Sequence, residues 1–163
     1  MEKKIIEKFG NRLRVRVCGI LIEHDRLLLV RHRGIGKNEV LWAPPGGGMN
    51  FGDSAEVNLV REFKEETGLN IKIERFLFTY EFLQPPLHAI ELFFKVKRIS
   101  GILRKGFDPE MNMDEQIIEQ ISFMEIDQVR KIQSGSLHYV LRRIRNFNDL
   151  LSLKGLVKFD DFA

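Results

Sequence analysis

The chain has 163 residues, 44% hydrophobic and 30% charged, with 26 Lys and Arg against 23 Asp and Glu and a formal net charge of +3. That is enough chain to bury one sizeable core in a globular domain, and so modest and dispersed a positive charge gives no strong nucleic-acid signal while suiting a small anionic ligand. A lone cysteine, Cys18, excludes an intramolecular disulfide and a thiolate metal cluster within the chain, and no apolar run approaches the roughly 20 residues that cross a bilayer.

The first dozen residues carry scattered charges and lack the apolar block and cleavage site of a secretory signal. The expected setting is therefore the cytoplasm, and the expected organisation a single domain over residues 1–163. Residues 12–22 alternate, with Leu13, Val15 and Val17 on one side and Arg12, Arg14 and Arg16 on the other, the period of a half-buried strand. Cys18, between Val17 and Ile20, reads as a small core residue. Asp25 and Arg26 form the expected turn, residues 27–30 a returning strand, and the polar stretch 31–39 an exposed loop. Arg31, Arg33 and Lys37 in that stretch are candidates to contact phosphates of a substrate, although solubilising loops have the same composition.

Pro44, Pro45 and the triple glycine 46–48 are incompatible with a helix interior and mark a turn or binding loop. Asp53 is then the expected N-cap, with Glu56 at capping-box spacing, of a helix over residues 54–67. Leu59, Val60, Phe63 and Thr67 form its core stripe, and Gly68 its stop. Glu62, Glu65 and Glu66 recur at i, i+3 and i+4 on the opposite face, with Arg61 four residues before Glu65. A solvated helix face has the same spacing. What sets this one apart is the neighbouring glycine loop, because hard cations such as Mg2+ and Mn2+ take carboxylate, carbonyl and water oxygens together.

Residues 71–82 and 89–99 are rich in β-branched and aromatic residues and read as two strands separated by Pro85-Pro86. Residues 101–116 read as a long loop and 117–123 as another strand. Leu137, Leu141, Ile144, Leu150 and Leu151 line one face of an expected C-terminal helix over residues 136–153. Phe51, Phe82 and Phe107 are available to stack a base, but thirteen phenylalanines assign most of them to the core. His88 reads as structural, and His24, His32 and His138 lack the paired spacing of zinc ligands.

The segment GGGMNFGDSAEVNLVREFKEETGL, residues 46–69, resembles the Nudix box: Gly, five residues, an acid, seven residues, then Arg-Glu-hydrophobic-x-Glu-Glu-x-Gly-hydrophobic. Gly47, Arg61, Glu62, Phe63, Glu65, Glu66, Gly68 and Leu69 fall on the pattern. The one departure is Asp53 where the family has Glu, a side chain shorter by a methylene. The early hairpin with LLLVRH, Trp42 and Pro44 before the glycines, and residues 119–129 as a late strand and short helix extend the resemblance over most of the chain.

The resemblance implies an α/β/α sandwich with a mixed β-sheet between helices. It implies attack of water on a phosphorus of a nucleoside diphosphate linked to another group, with nucleoside diphosphate sugars such as ADP-ribose favoured. Glu62, Glu65, Glu66 and the Gly46 carbonyl would hold Mg2+ or Mn2+, and Arg61 would orient the carboxylates. Glu62, Glu115 and Glu119 are the candidates for the general base, Glu119 being preferred. The partner is then a small-molecule nucleotide, no membrane is involved, and a homodimer is the family expectation. The alternative is a non-catalytic Nudix-like module that senses a nucleotide; the complete glutamate set argues for hydrolysis, because a sensor has no need of it.

Overall fold

The computed structural model describes residues 6–7, 9–36, 38–107 and 116–158; Lys37 and Glu115 lie outside the described residues. The alternating arginine segment forms β1 (Arg12–Glu23), which turns into β2 (Arg26–Arg33) through His24 and Asp25, both with positive φ. Two residues in that conformation match the twist of a tight hairpin. The turn therefore sits one residue earlier than Asp25-Arg26, since Arg26 is already paired with Glu23. β2 also continues past Val30: Arg31, His32 and Arg33 pair with β3 (Val40–Ala43), and Arg31 and His32 also with β7 (Ile118–Met124). Backbone pairing on both sides takes these three residues out of the expected loop.

The glycine triplet is itself a short strand, β4 (Gly46–Gly48), antiparallel to β1. β5 (Leu69–Gln84) and β6 (Leu87–Gly101) form a long antiparallel hairpin, and β6 runs parallel to β1. With β8 (Leu156–Lys158) beside β5, the strand order is β3-β2-β1-β6-β5-β8, β4 and β7 pairing with β1 and β2. The sheet is mixed, as the resemblance implied.

Its two faces are covered by different parts of the chain. On one, α1 (Ala55–Thr67) sets Leu59 and Phe63 against Val17, Leu21, Leu28, Phe94 and Val96. Gly19 is required there, because the Phe63 ring occupies the space a Cβ would fill. On the other, Cys18, Ile20, Leu29, Phe78 and Phe93 are covered by Val129 of α2 (Ile126–Lys131), by Leu137, Val140, Leu141 and Ile144, and by Leu150 of α3 (Phe147–Leu151). Each large apolar side chain buried in this way contributes about 1.5–3 kcal/mol. Among the described residues no helix is long and apolar enough to cross a membrane.

The C-terminal stretch corrects the expectation of one helix over residues 136–153. Leu137, Leu141, Ile144 and Leu150 are buried as the stripe predicted. Two 3-10 turns (Ser134–Ser136 and Tyr139–Leu141) and α3 replace the helix. Leu137 bridges to Trp42 of β3, the His138 N–H donates to the Trp42 carbonyl, and the Asn146 side chain starts α3 by accepting from the Asp149 N–H. Backbone groups bonded to a sheet edge cannot also serve a helical ladder.

Candidate active site

α1 begins at Ser54, whose hydroxyl accepts from the Val57 N–H at 3.2 Å, so the cap is Ser54 and not Asp53. Gly68 ends it in the left-handed conformation, φ 74°. The face it buries runs through Asn58, Leu59, Phe63, Glu66 and Thr67, while Val60, expected in the core, is 40% exposed. The buried face therefore carries polar side chains toward β4.

β4 contributes no side chains. Gly47 faces α1, and the Glu62 carboxylate fills the position that a Cβ on Gly47 would need. Glu66 is 7% exposed; its Oε2 accepts from the Gly46 N–H at 2.9 Å, and its Oε1 lies 3.6 Å from His32 Nε2. Arg61 spans the remaining pair, with Nη2 2.9 Å from Glu62 Oε1 and Nη1 2.9 Å from Glu65 Oε2. The same Nη2 lies 3.3 Å from the Gly48 carbonyl and 3.2 Å from Asn58 Oδ1. Asn58 in turn accepts from the Asn50 N–H and donates to the Ser54 carbonyl, each at 2.8 Å. Helix, glycine strand and the turn between them are thus tied through polar contacts.

Burial, together with the charges of Glu66 and Glu65, pushes the Glu62 carboxyl up to about 7, although Arg61 works in the opposite sense. Crowded carboxylates of this kind are relieved by a cation. As they stand, no three His, Cys, Asp or Glu side chains among the described residues are grouped closely enough to hold a metal ion, and Arg61 holds both Glu62 and Glu65. The donor chemistry nonetheless fits Mg2+ or Mn2+: three carboxylates, no thiolate, and a bare glycine strand beside them.

The residues expected outside the box are placed differently. Arg31 and Glu119 form an ion pair with each other, from neighbouring positions on β2 and β7. Arg33 donates from Nε to the Gln116 carbonyl at 2.8 Å. Phe51 and Phe107 are exposed, Phe82 packs against Tyr139, and His88 pairs with Glu81 at 3.2 Å. Two residues with a place in the cluster were not expected there from the sequence. Asn58 is an ordinary polar letter in a helix, and His32 meets Glu66 only through the pairing of β2.

The NUDIX domain family model matches residues 10–143. An ADP-ribose pyrophosphatase of Methanocaldococcus jannaschii is 32% identical over 112 residues, covering 66% of this chain and 66% of that protein, a little under two thirds of its length. A NUDIX hydrolase of Nitrosomonas europaea superposes with a TM-score of 0.62 at 24% identity, over 77% of this chain and 80% of that one. A MutT NUDIX hydrolase of Burkholderia pseudomallei gives a TM-score of 0.64 at 20% identity, over 80% of this chain and 94% of that one. At those identities the structural likeness speaks to the fold.

Proposed function

The chain belongs to the Nudix hydrolase family, and from that premise we propose that it hydrolyses the diphosphate bond of a nucleoside diphosphate linked to another group, using Mg2+ or Mn2+. ADP-ribose, or a related nucleoside diphosphate sugar, is the favoured substrate. The observation that carries this reading is the set Glu62, Glu65 and Glu66, brought by Arg61 and the Gly46 N–H against a strand without side chains. The likeness to an archaeal ADP-ribose pyrophosphatase supports the choice of substrate.

When bound, the divalent ion supplies charge neutralisation for the phosphates and acidifies a water. The chain's own residues do the rest. Glu66, Glu62 and Glu65 supply oxygen ligands, with the Gly46 carbonyl beside them, and Arg61 sets the orientation of Glu62 and Glu65. The glycines of β4 let phosphate oxygens approach the backbone. Of the candidate bases, Glu62 lies in the cluster against Gly47, whereas Glu119 is engaged by Arg31. The proposal therefore gives the proton of the attacking water to Glu62.

The test is incubation of the purified protein with Mg2+ or Mn2+ and a panel of nucleoside diphosphate derivatives, beside a Glu65→Gln, Glu66→Gln double variant. Release of AMP and a sugar phosphate from ADP-ribose, abolished by chelator and in the variant, is the expected result. Nucleotide binding without turnover across the panel would favour the sensing module instead. Sedimentation of the same preparation tests the homodimer.

A further inference from the structure

The arginine row of β1 takes no part in the carboxylate cluster, yet it is built into the sheet beside it. In register, Tyr80 of β5, Glu91 of β6, Arg16 of β1 and Gly48 of β4 stand in one row, and Phe82, Ala89 and Arg14 in the next. Residues in register share a face, here the face away from α1 that also carries Cys18 and Phe93.

Glu91 is 6% exposed, and both its oxygens are taken: Oε1 lies 3.2 Å from Arg16 Nε, and Oε2 lies 2.8 Å from Nε2 of the buried His138. Arg16 leads outward from this anchor, with its side chain 28% exposed, and among the described residues Glu91 is its one ion-pair partner. Glu91 meets the guanidinium on its Nε side as an ion pair without a hydrogen bond, so the fork of the two terminal nitrogens is left to meet something else. Arg14 stands beside it, its guanidinium 3.8 Å from the Phe9 ring centroid and its Nη2 3.8 Å from where a Cβ on Gly48 would lie. Since Gly48 has no side chain, only the β4 backbone separates these two cations from the carboxylates on the other side. The two terminal nitrogens of Arg16, beside the Arg14 guanidinium, present a planar fork that suits phosphate oxygens.

We propose that Arg16, with Arg14 beside it, binds a phosphate of the substrate on the face of β4 away from α1, and that Glu91 and His138 are positioning residues that fix the Arg16 guanidinium. The ligand is then a diphosphate ester reaching from the carboxylate cluster across the bare strand. The inference rests on the hydrolase reading for the attacked phosphate, but the phosphate contact of Arg16 stands on its own geometry.

The experiment uses the full chain in two formats: steady-state hydrolysis of ADP-ribose with Mn2+, and calorimetric binding of ADP in chelator. Arg16→Met should raise both KM and the ADP Kd about tenfold, the worth of one charge-assisted phosphate contact, with kcat within about threefold. Arg16→Lys should recover part of the loss, since it restores charge without the fork. His138→Gln should raise KM less than Arg16→Met does, leaving kcat alone. Unchanged KM and Kd in a folded Arg16→Met protein overturn the proposal. If that variant does not fold, unchanged values in both Arg16→Lys and Arg14→Met do so. Arg16-dependent ADP binding without hydrolysis would keep this inference and sink the hydrolase reading, whereas hydrolysis with a KM indifferent to Arg16 does the reverse. Neither binding nor hydrolysis overturns both.

Discussion

The Glu62 carboxylate lies where a side chain on Gly47 would have to begin. Because the obstructing group is the far end of a flexible side chain, Gly47→Ala should fold, with Glu62 swung aside. A displacement of about 1 Å at a reacting centre costs on the order of a hundredfold in rate. Gly47→Ala is therefore expected to melt within a few degrees of the wild type while kcat/KM falls by about that factor. Gly46→Ala should behave differently, since its φ is +154° and a Cβ would run into the Val17 carbonyl. Backbone cannot swing away, and a loss of about 2 kcal/mol or more is expected. Thermal melts read beside kinetics separate the two cases.

Gly19 and Phe63 form the corresponding contact in the core, with the Cε2 and Cζ atoms of the ring where a Cβ on the glycine would lie. Phe63→Ala should cost about 3–5 kcal/mol in urea unfolding. Gly19→Ala should destabilise as well, because the ring is hemmed in by Val17, Leu21 and Leu59. The double variant should lose less than the sum of the two, since the new methyl partly fills the space that the ring vacates. Additive losses would mean that the two positions are not in contact.

The strands and α1 were legible because their apolar periods are strong, and the Nudix box because so many of its positions are specified. Less legible was which side of α1 is buried. The apolar letters put Val60 inside and all three glutamates outside, but Glu66 turns inward because the Gly46 N–H and His32 receive it. Those partners come from distant strands, and helical spacing does not contain them. The C-terminal stripe was likewise right that Leu137, Leu141, Ile144 and Leu150 are buried, although Leu151 is only half-buried, and wrong about the helix, because β3 takes the backbone of Leu137 and His138.

The N-terminus of α1 gives a smaller test of the same kind. The Ser54 hydroxyl satisfies the Val57 N–H, while Asp53 is exposed. Ser54→Ala should cost about 1 kcal/mol, the usual worth of an N-cap, and Asp53→Ala no more than about 0.5 kcal/mol. Asp53→Glu, which restores the residue of the family pattern, should leave activity within about twofold, as expected of an exposed side chain. Denaturation midpoints and initial rates on the three variants check this.

Arg31 and Glu119 were expected to act on the substrate separately, and they meet each other. A pair at the surface is worth about 0.2–1 kcal/mol, so a double-mutant cycle on stability should return a coupling in that range. If Glu62 takes the proton, Glu119→Gln should lower kcat less than about tenfold, and Glu62→Gln by a hundredfold or more, the usual contribution of a general base. The opposite ranking would return the base to Glu119.

Glu91 supplies the pH dependence. Burial by itself would raise its pKa, but His138, through charge and a hydrogen bond, and then Arg16 outweigh burial and hold the carboxyl at about 2. In the unfolded chain the same group returns to its ordinary value of 4.5. Between those values the unfolded state binds the proton more readily, so the stabilisation is complete above about pH 5 and drains away as pH falls toward 2. For a gap of this size the loss is on the order of 3 kcal/mol. Glu91→Gln removes the linkage: the variant should be less stable at pH 7, because Arg16 and His138 lose their buried partner, and its stability should fall less steeply on acidification. Urea midpoints from pH 7 to pH 2.5 compare the two proteins. Parallel curves would place the linked carboxylate elsewhere, and converging curves assign it to the residue that anchors Arg16.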